Sequence, residues 1–247
     1  MNPEQASIEE QSSENEDYPA RKLIVFLVQF RKFILELAIA FFCLTFIFYW
    51  YAPDILLFLQ MDLDQKLAFF GVMEPVLALL KIASVMAILV LTPWILWRIA
   101  QVMVIAFGLT RKFAALFILF ALLLFYAGAS FCFFITLPFG INFLLGYQSE
   151  LIRPVISVGK FVSFTGLFLL GFGLIFEIPL LMTLLCRIGI CHYSTFSRVR
   201  RYAILIIAIL AAILTPTPDV VNMALMGIPL YLLYEAGIII AKLNSRE

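Results

Sequence analysis

The sequence predicts an all-α integral membrane protein with six transmembrane helices, the last two of them short, and with both termini cytoplasmic. Three observations support this: the composition, the lengths of the apolar runs and the placement of the basic residues. Of the 247 residues, 64% are hydrophobic and 13% charged, whereas a soluble domain has about 45–50% apolar and about 25% charged residues. This composition excludes a water-soluble enzyme. The net charge of +1 gives no strong attraction for nucleic acid.

The first 20 residues predict a disordered, acidic, cytoplasmic tail. Residues 1–17 contain six acidic residues and no Lys or Arg, and a segment of this composition cannot bury enough apolar surface to fold. A secretory signal peptide would begin with basic residues and an early apolar core, but here the first apolar run begins near Leu23. We therefore expect residues 21–247 to form one membrane domain behind a retained tail.

Six apolar runs follow the tail, and the breaks between them hold most of the charges. About 20 mostly apolar residues are needed for a helix to cross a hydrocarbon core of about 30 Å. The runs are too long, and alternate too little, to be strands of a membrane barrel. The predicted spans are Phe33–Tyr51, Val76–Trp97, Phe113–Leu137, Phe161–Cys186, Tyr202–Leu214 and Val220–Ala241.

The fifth and sixth spans are predicted to be short. Tyr202–Leu214 contains 13 residues, which is about 20 Å of helix. Pro229 and Glu235 interrupt the sixth run and leave a clean stretch over Val220–Tyr234. Two such helices would thin the bilayer locally or have their ends covered by neighbours; a re-entrant hairpin is the alternative.

The basic residues predict the orientation of the chain. Thirteen of the 17 Lys and Arg residues flank the first span, lie in the second and fourth loops or follow the last span. Only Lys66, Lys81, Arg153 and Lys160 fall on the other side. Because cytoplasmic loops are enriched in Lys and Arg, both termini should face the cytoplasm. An even number of spans also requires that the two termini lie on the same side of the membrane.

Polar residues within the apolar runs are the candidate functional positions. Glu177 lies deep in the fourth span, where a carboxylate facing lipid would cost about 2.5 kcal/mol or more, so it should face a bundle interior or a wet cavity. Pro179 predicts a kink beside it, and a carboxyl group that satisfies backbone groups at the kink is the alternative role. Asp219 is placed to cap the sixth helix, and Glu235 to reach the interface or pair with Lys242.

No catalytic constellation, cofactor motif or metal site is predicted. The sequence has no HExxH, GxSxG or P-loop pattern and only one histidine. Cys186, Cys191 and His192 are close in sequence, but a structural metal site usually needs four ligands. Without a nucleotide-binding element, any energy input must come from a partner or from the membrane potential.

Several short motifs in the second half of the chain occur in an order that is characteristic of one family. They are Phe125-Tyr126-Ala127-Gly128, the stretch from Phe172 to Pro179, Arg201-Tyr202, Thr215-Pro216-Thr217-Pro218-Asp219 and the stretch from Pro229 to Glu235. In these motifs the chain resembles the TatC subunit of the twin-arginine protein translocase. The resemblance is specific from about Gly108 to Glu235, looser over residues 33–107 and absent over residues 1–20.

The resemblance implies a core receptor subunit, not an enzyme, in the inner (cytoplasmic) cell membrane; an organellar membrane is the alternative location. Such a receptor binds the twin-arginine signal peptides of folded precursors. It also implies assembly with single-span partners of the TatA and TatB type, homo-oligomers within the translocase, and export driven by the proton-motive force. By family position, Glu177 would be the intramembrane polar contact for a partner, with Pro179, Asp219 and Glu235 as structural or partner contacts.

The candidate signal-peptide positions are Gln29, Arg31, Thr110 and Arg111, and they include two departures from the family. Gln29 and Thr110 stand where the family usually has glutamates, which are the natural partners of a guanidinium pair. A divergent member with altered recognition is therefore one alternative. An unrelated six-helix secondary transporter is another, although the internal repeat typical of such transporters is not evident.

Overall fold

The computed structural model describes residues 3–60, 67–107, 110–145, 156–214 and 220–244, and these are almost entirely helical. The part of the chain before Thr45 forms one unit, and the chain from Thr45 onward forms a second. In chain order the elements are α1 (Pro3–Gln60), α2 (Glu74–Phe107), α3 (Arg111–Phe131), a π-helical turn (Cys132–Thr136), α4 (Leu137–Leu145), α5 (Val158–Phe176), α6 (Ile178–Arg187), α7 (Tyr193–Arg198), α8 (Arg200–Leu214) and α9 (Val220–Asn244).

Helix α1 is longer at both ends than the sequence predicted. It begins at Pro3 and so includes most of the acidic segment for which we expected disorder. Glu, Gln and Ala are strong helix formers, a preference that the argument from burial does not take into account. Pro53 does not end the helix, which continues to Gln60. The boundary between tail and membrane domain at residue 20 stays a prediction.

The third helical segment also continues beyond its predicted end at Leu137. The helix widens into a π-helical turn, in which the N–H of Leu137 donates to the carbonyl of Cys132. It then continues through Pro138 to Leu145. A π-bulge shifts the hydrogen-bond register within a helix, and here it lies next to the proline, which has no N–H to donate.

The fifth run is short, as predicted, but the sixth is not. Helix α8 contains 15 residues, or about 22 Å of helix. Helix α9 contains 25 residues and includes Pro229 without ending there. In a membrane bundle, neighbouring helices and side chains can form hydrogen bonds with the backbone groups that a proline leaves unpaired.

Five helical segments of the described chain are long and apolar enough to cross a membrane. They are Arg31–Gln60, Glu74–Val104, Arg111–Ile141, Val158–Arg187 and Met226–Leu243. Each coincides with one of the six runs read from the sequence. Helix α8 is shorter than these five.

Close helix crossings depend on particular glycines. A Cβ atom on Gly128 of α3 would lie 2.7 Å from the carbonyl oxygen of Phe172 on α5. A Cβ on Gly173 would lie 2.7 Å from the ring of Phe125, and one on Gly166 would lie 2.7 Å from Val85 of α2. Small residues of this kind let helix backbones approach in lipid. Gly140 and Gly171, which the same reasoning would include, have open space instead.

Candidate functional site

The fourth apolar run is broken at Glu177, between α5 and α6. The N–H of Glu177 donates to the carbonyl of Leu174 at 3.1 Å, a tightened final turn, and its own carbonyl accepts from the N–H of Leu181 at 2.9 Å. Pro179 occupies the first turn of α6 and has no N–H for the carbonyl of Ile175 four residues earlier. The proline therefore produces the predicted break, which carries the acidic side chain.

The carboxyl group of Glu177 does not form hydrogen bonds with the described backbone groups at the break. Its Oε1 atom is buried and has no hydrogen-bond partner among the described residues, and its side chain makes no cap hydrogen bond to α6. The alternative role, in which the carboxyl satisfies backbone groups at the kink, is not the arrangement that the structure shows for this oxygen. A buried polar atom without a partner is costly, so it marks a position able to accept a hydrogen bond.

Two apolar clusters flank the break and hold it in place. On the α5 side, Phe176 packs against a buried cluster centred on Phe172. On the α6 side, Ile178 packs against a second cluster that includes Met182 and Leu230. Helix α9 crosses α6 closely, because a Cβ on Gly237 would lie 2.7 Å from Met182 and 3.0 Å from the Cα of Pro179. Glu177 is thus carried by a packed scaffold.

A second group of candidate residues lies where α3 begins. Thr110 is the N-cap residue of α3, but its side chain makes no cap hydrogen bond, and both Thr110 and Arg111 are exposed. The end of α6 meets this place, because the guanidinium carbon of Arg187 lies 5.2 Å from the ring centroid of Phe113. Arg187 and Arg111 therefore lie at the same end of the helices.

Glu235 joins the start of α8 to α9. Its Oε2 accepts from Arg200 at 3.0 Å and its Oε1 accepts from Tyr231 at 2.9 Å. The sequence had suggested that Glu235 reaches the interface or pairs with Lys242; it did not indicate Arg200, which is 35 residues away. Next to it, the hydroxyl of Tyr234 donates to the carbonyl of Phe196 on α7 at 2.8 Å. These bonds fix the α7–α8 connection against α9.

The comparison with protein families tests the alternative of an unrelated six-helix transporter. The profile of the family described as Sec-independent protein translocase protein (TatC) matches residues 25–229, which is most of the chain. The chain belongs to the TatC family. It is therefore a component of a protein translocase, and its apolar helices make it a multi-pass membrane protein.

Individual relatives agree with the family match over nearly the whole chain. The TatC protein of Carboxydothermus hydrogenoformans is 40% identical over 195 residues, which are 78% of this chain and 79% of that protein. TatCy of Bacillus subtilis is 29% identical over 230 residues, which are 91% of this chain and 90% of that protein.

Solved structures show the same fold. Two crystal structures of a twin-arginine translocase receptor, TatC, one of them in the detergent DDM, match with TM-scores of 0.76 and 0.78 at 29% identity. They cover 85% and 89% of this chain and 96% and 99% of those chains.

The remaining predicted positions of this TatC chain are placed less fully. Arg31 is an exposed residue of α1. Gln29 also lies within α1, but its side chain is outside the described part. Asp219 lies outside the described residues altogether, so its capping role stays a prediction.

The sequence analysis did not find a polar cluster at the start of α5. Glu74, the first residue of α2, accepts a hydrogen bond from the N–H of Phe70 at 2.7 Å and another from the N–H of Gly159 at 3.0 Å. The hydroxyl of Ser157 also donates to Glu74. Because 83 residues separate Glu74 from Ser157, sequence spacing gave no signal for this cluster.

Proposed function

We propose that the chain is the membrane receptor of a twin-arginine translocase. In this role it binds the twin-arginine signal peptides of folded precursors on the cytoplasmic side. It assembles with single-span partners of the TatA and TatB type, as a homo-oligomer within the translocase, for export driven by the proton-motive force. The observation that carries the proposal is the match to TatC over residues 25–229, together with a solved relative that is itself named a twin-arginine translocase receptor.

The topology that we propose has six spans, with α8 as the fifth, and both termini in the cytoplasm. The membrane is the inner (cytoplasmic) membrane of the cell. Helix α8 offers about 22 Å of helix against about 30 Å of hydrocarbon, a mismatch that local thinning of the bilayer and cover by neighbouring helices can absorb. Arg187 at the end of α6 lies against Phe113 near the start of α3, so Arg187 and Arg111 are at the same end of their helices. The preference of Lys and Arg for cytoplasmic loops supports this orientation.

The proposed signal-peptide contacts are Gln29 and Arg31 on α1 and, separately, Thr110 and Arg111 at the start of α3. A guanidinium pair needs hydrogen-bond acceptors, and the Thr110 hydroxyl is exposed and makes no cap bond to its own helix. Gln29 and Thr110 supply neutral acceptors where carboxylates would be expected. Charge-assisted bonds are roughly twice as strong as neutral ones, so weaker or altered recognition is the alternative that this substitution favours.

The proposed intramembrane contact for a partner is Glu177. Its buried, unpartnered Oε1 can accept a hydrogen bond from a polar group on a partner helix, where the low-dielectric surroundings strengthen such a bond. Pro179 holds the break that presents this carboxyl group, and Glu235 holds the neighbouring helix ends together.

The test is complementation of cells that lack their own TatC. We expect the chain to restore export of a folded fluorescent reporter that carries a twin-arginine signal peptide, but not of the same reporter with twin lysine, because the ammonium group lacks the planar fork of the guanidinium. Absence of export, with the chain stably inserted beside its TatA-type and TatB-type partners, would contradict the receptor role. Equal export of the two reporters would favour the member with altered recognition.

A further inference from the structure

An open cavity of about 690 Å³ lies where the start of α5 meets the segment before α2. Two backbone hydrogen bonds form this junction: the N–H of Ala68 donates to Ile156 at 3.0 Å, and the N–H of Val158 donates to Ala68 at 3.2 Å. Glu74, Lys81, Lys160 and Ser163 line the cavity. It is separate from Glu177 and from the proposed signal-peptide contacts, none of which contributes to its lining.

The negative charge at this cavity is already engaged. The carboxylate of Glu74 accepts from the N–H groups of Phe70 and Gly159 and from the hydroxyl of Ser157. These bonds fix it at the N-terminus of α5, where a negative charge is favoured by the helix dipole. Glu74 is therefore a fixed part of the cavity wall, and its carboxylate oxygens are bonded to other groups of that wall.

The two lysines lack a comparable anionic partner among the described residues. Lys81 donates from Nζ to the hydroxyl of Ser163 at 2.7 Å, and that hydroxyl donates onward to the carbonyl of Gly159 at 2.7 Å. An ammonium group has three donors, so Lys81 keeps two for a further acceptor. Lys160 lies in the first turn of α5 and is exposed, and no ion pair holds it in the described part of the chain.

At the position of Lys81, an anionic partner would stabilise the exposed ammonium group. It is the eighth residue of α2, about 10 Å along the helix, and its side chain is exposed on an apolar span. A cation facing lipid near the end of a span extends toward the headgroups. Next to the cavity, Phe70 and Met73 are each 70% exposed and Val72 is 95% exposed, which gives the rim an apolar surface suited to acyl chains.

We propose that this cavity binds the phosphate group of an anionic phospholipid. Lys81 and Lys160 bind the phosphate oxygens, the hydroxyl of Ser163 holds the ammonium group of Lys81 in place, and the exposed apolar residues before α2 contact the acyl chains. The single negative charge of the bound lipid offsets part of the charge of the two lysines, and the lipid connects α2 to α5 at the end of the molecule opposite Arg111. The proposal rests on the chain spanning a membrane and does not depend on its binding of signal peptides.

The test is titration of the purified full chain in detergent with phosphatidylglycerol, followed by native mass spectrometry. We expect Lys81→Gln combined with Lys160→Gln to weaken binding about 25-fold, because each lysine near an anionic lipid surface contributes about fivefold. The double replacement by arginine should retain binding, since a guanidinium also binds phosphate. Lys112→Gln, which removes an exposed lysine at the start of α3, is the matched control and should leave this binding unchanged.

Three results would overturn the proposal. They are equal affinity of the double glutamine variant and the unsubstituted chain, equal binding of phosphatidylcholine and phosphatidylglycerol, and displacement of the lipid by inorganic phosphate at the same concentration, which would assign the site to a free anion. If the double variant does not fold, Lys160→Gln alone suffices, because the Lys160 side chain has no described bond to lose. This single variant should bind about fivefold more weakly, and unchanged affinity would contradict the proposal.

Discussion

Replacement of Glu177 by alanine is expected to lower export of a twin-arginine reporter about fivefold while the chain remains inserted and folded. The buried Oε1 has no hydrogen-bond partner among the described residues, so alanine removes no described bond and costs the folded chain little. What alanine removes is the hydrogen bond that a partner helix would make to this carboxyl group. A buried hydrogen bond contributes on the order of 1 kcal/mol, and 1.4 kcal/mol corresponds to about tenfold in an equilibrium constant.

Two variants separate this effect from a general disturbance of the bundle. Glu177→Gln keeps an acceptor oxygen of the same reach and should retain most of the export. Thr165→Val removes another buried hydroxyl without a described partner, on α5 but away from the break, and should export normally and unfold at the same or a higher temperature. Unchanged export by Glu177→Ala would show that the carboxyl group has no part in the translocation step.

Replacement of Gly128 by alanine is expected to destabilise the folded chain by about 1–3 kcal/mol, the usual cost of forcing extra volume into a packed site. The added Cβ would lie 2.7 Å from the carbonyl oxygen of Phe172 and 2.7 Å from the ring of Phe176. The first of these is backbone and cannot move aside, so α3 and α5 would have to separate. The measurement is the unfolding temperature of the purified chain in detergent.

Gly171→Ala is the matched control, because Gly171 lies on α5 in open space. In a helix interior, alanine is favoured over glycine by about 1 kcal/mol, so this variant should be as stable as the unsubstituted chain or more so. If Gly128→Ala and Gly171→Ala shifted the unfolding temperature equally and in the same direction, the close crossing of α3 and α5 would be contradicted.

The sequence predicted the apolar spans well because they are long, uniform in composition and separated by charges. It was wrong about the ends of the first and third spans and about the interruption of the sixth, because the helices continue through Pro53, Pro138 and Pro229. A proline removes one hydrogen bond, and within a membrane bundle the neighbouring turns and helices compensate for that loss. At Pro179 the helix does break as predicted, and there an acidic residue, Glu177, precedes the proline.

The sequence predicted the candidate site only where a single residue, by its type and its place in an apolar run, indicated its own role. Glu177 could be assigned to the interior because an isolated carboxyl group within an apolar run is costly in lipid. The pairing of Glu235 with Arg200 and the bonds of Glu74 to Ser157 and Gly159 join positions 35 to 85 residues apart. These pairings depend on how the helices pack, which composition and local spacing do not encode.

The central claim, that this TatC chain receives twin-arginine signal peptides, is tested most directly by photo-cross-linking from position 110 in membranes. With a photoreactive residue in place of Thr110, we expect an adduct with a twin-arginine signal peptide and little adduct with its twin-lysine version. The same residue in place of Leu119, which is 60% exposed and two turns further along α3, should give no adduct with either peptide. Failure to form an adduct at position 110, or equal adducts with the two peptides, would contradict the claim.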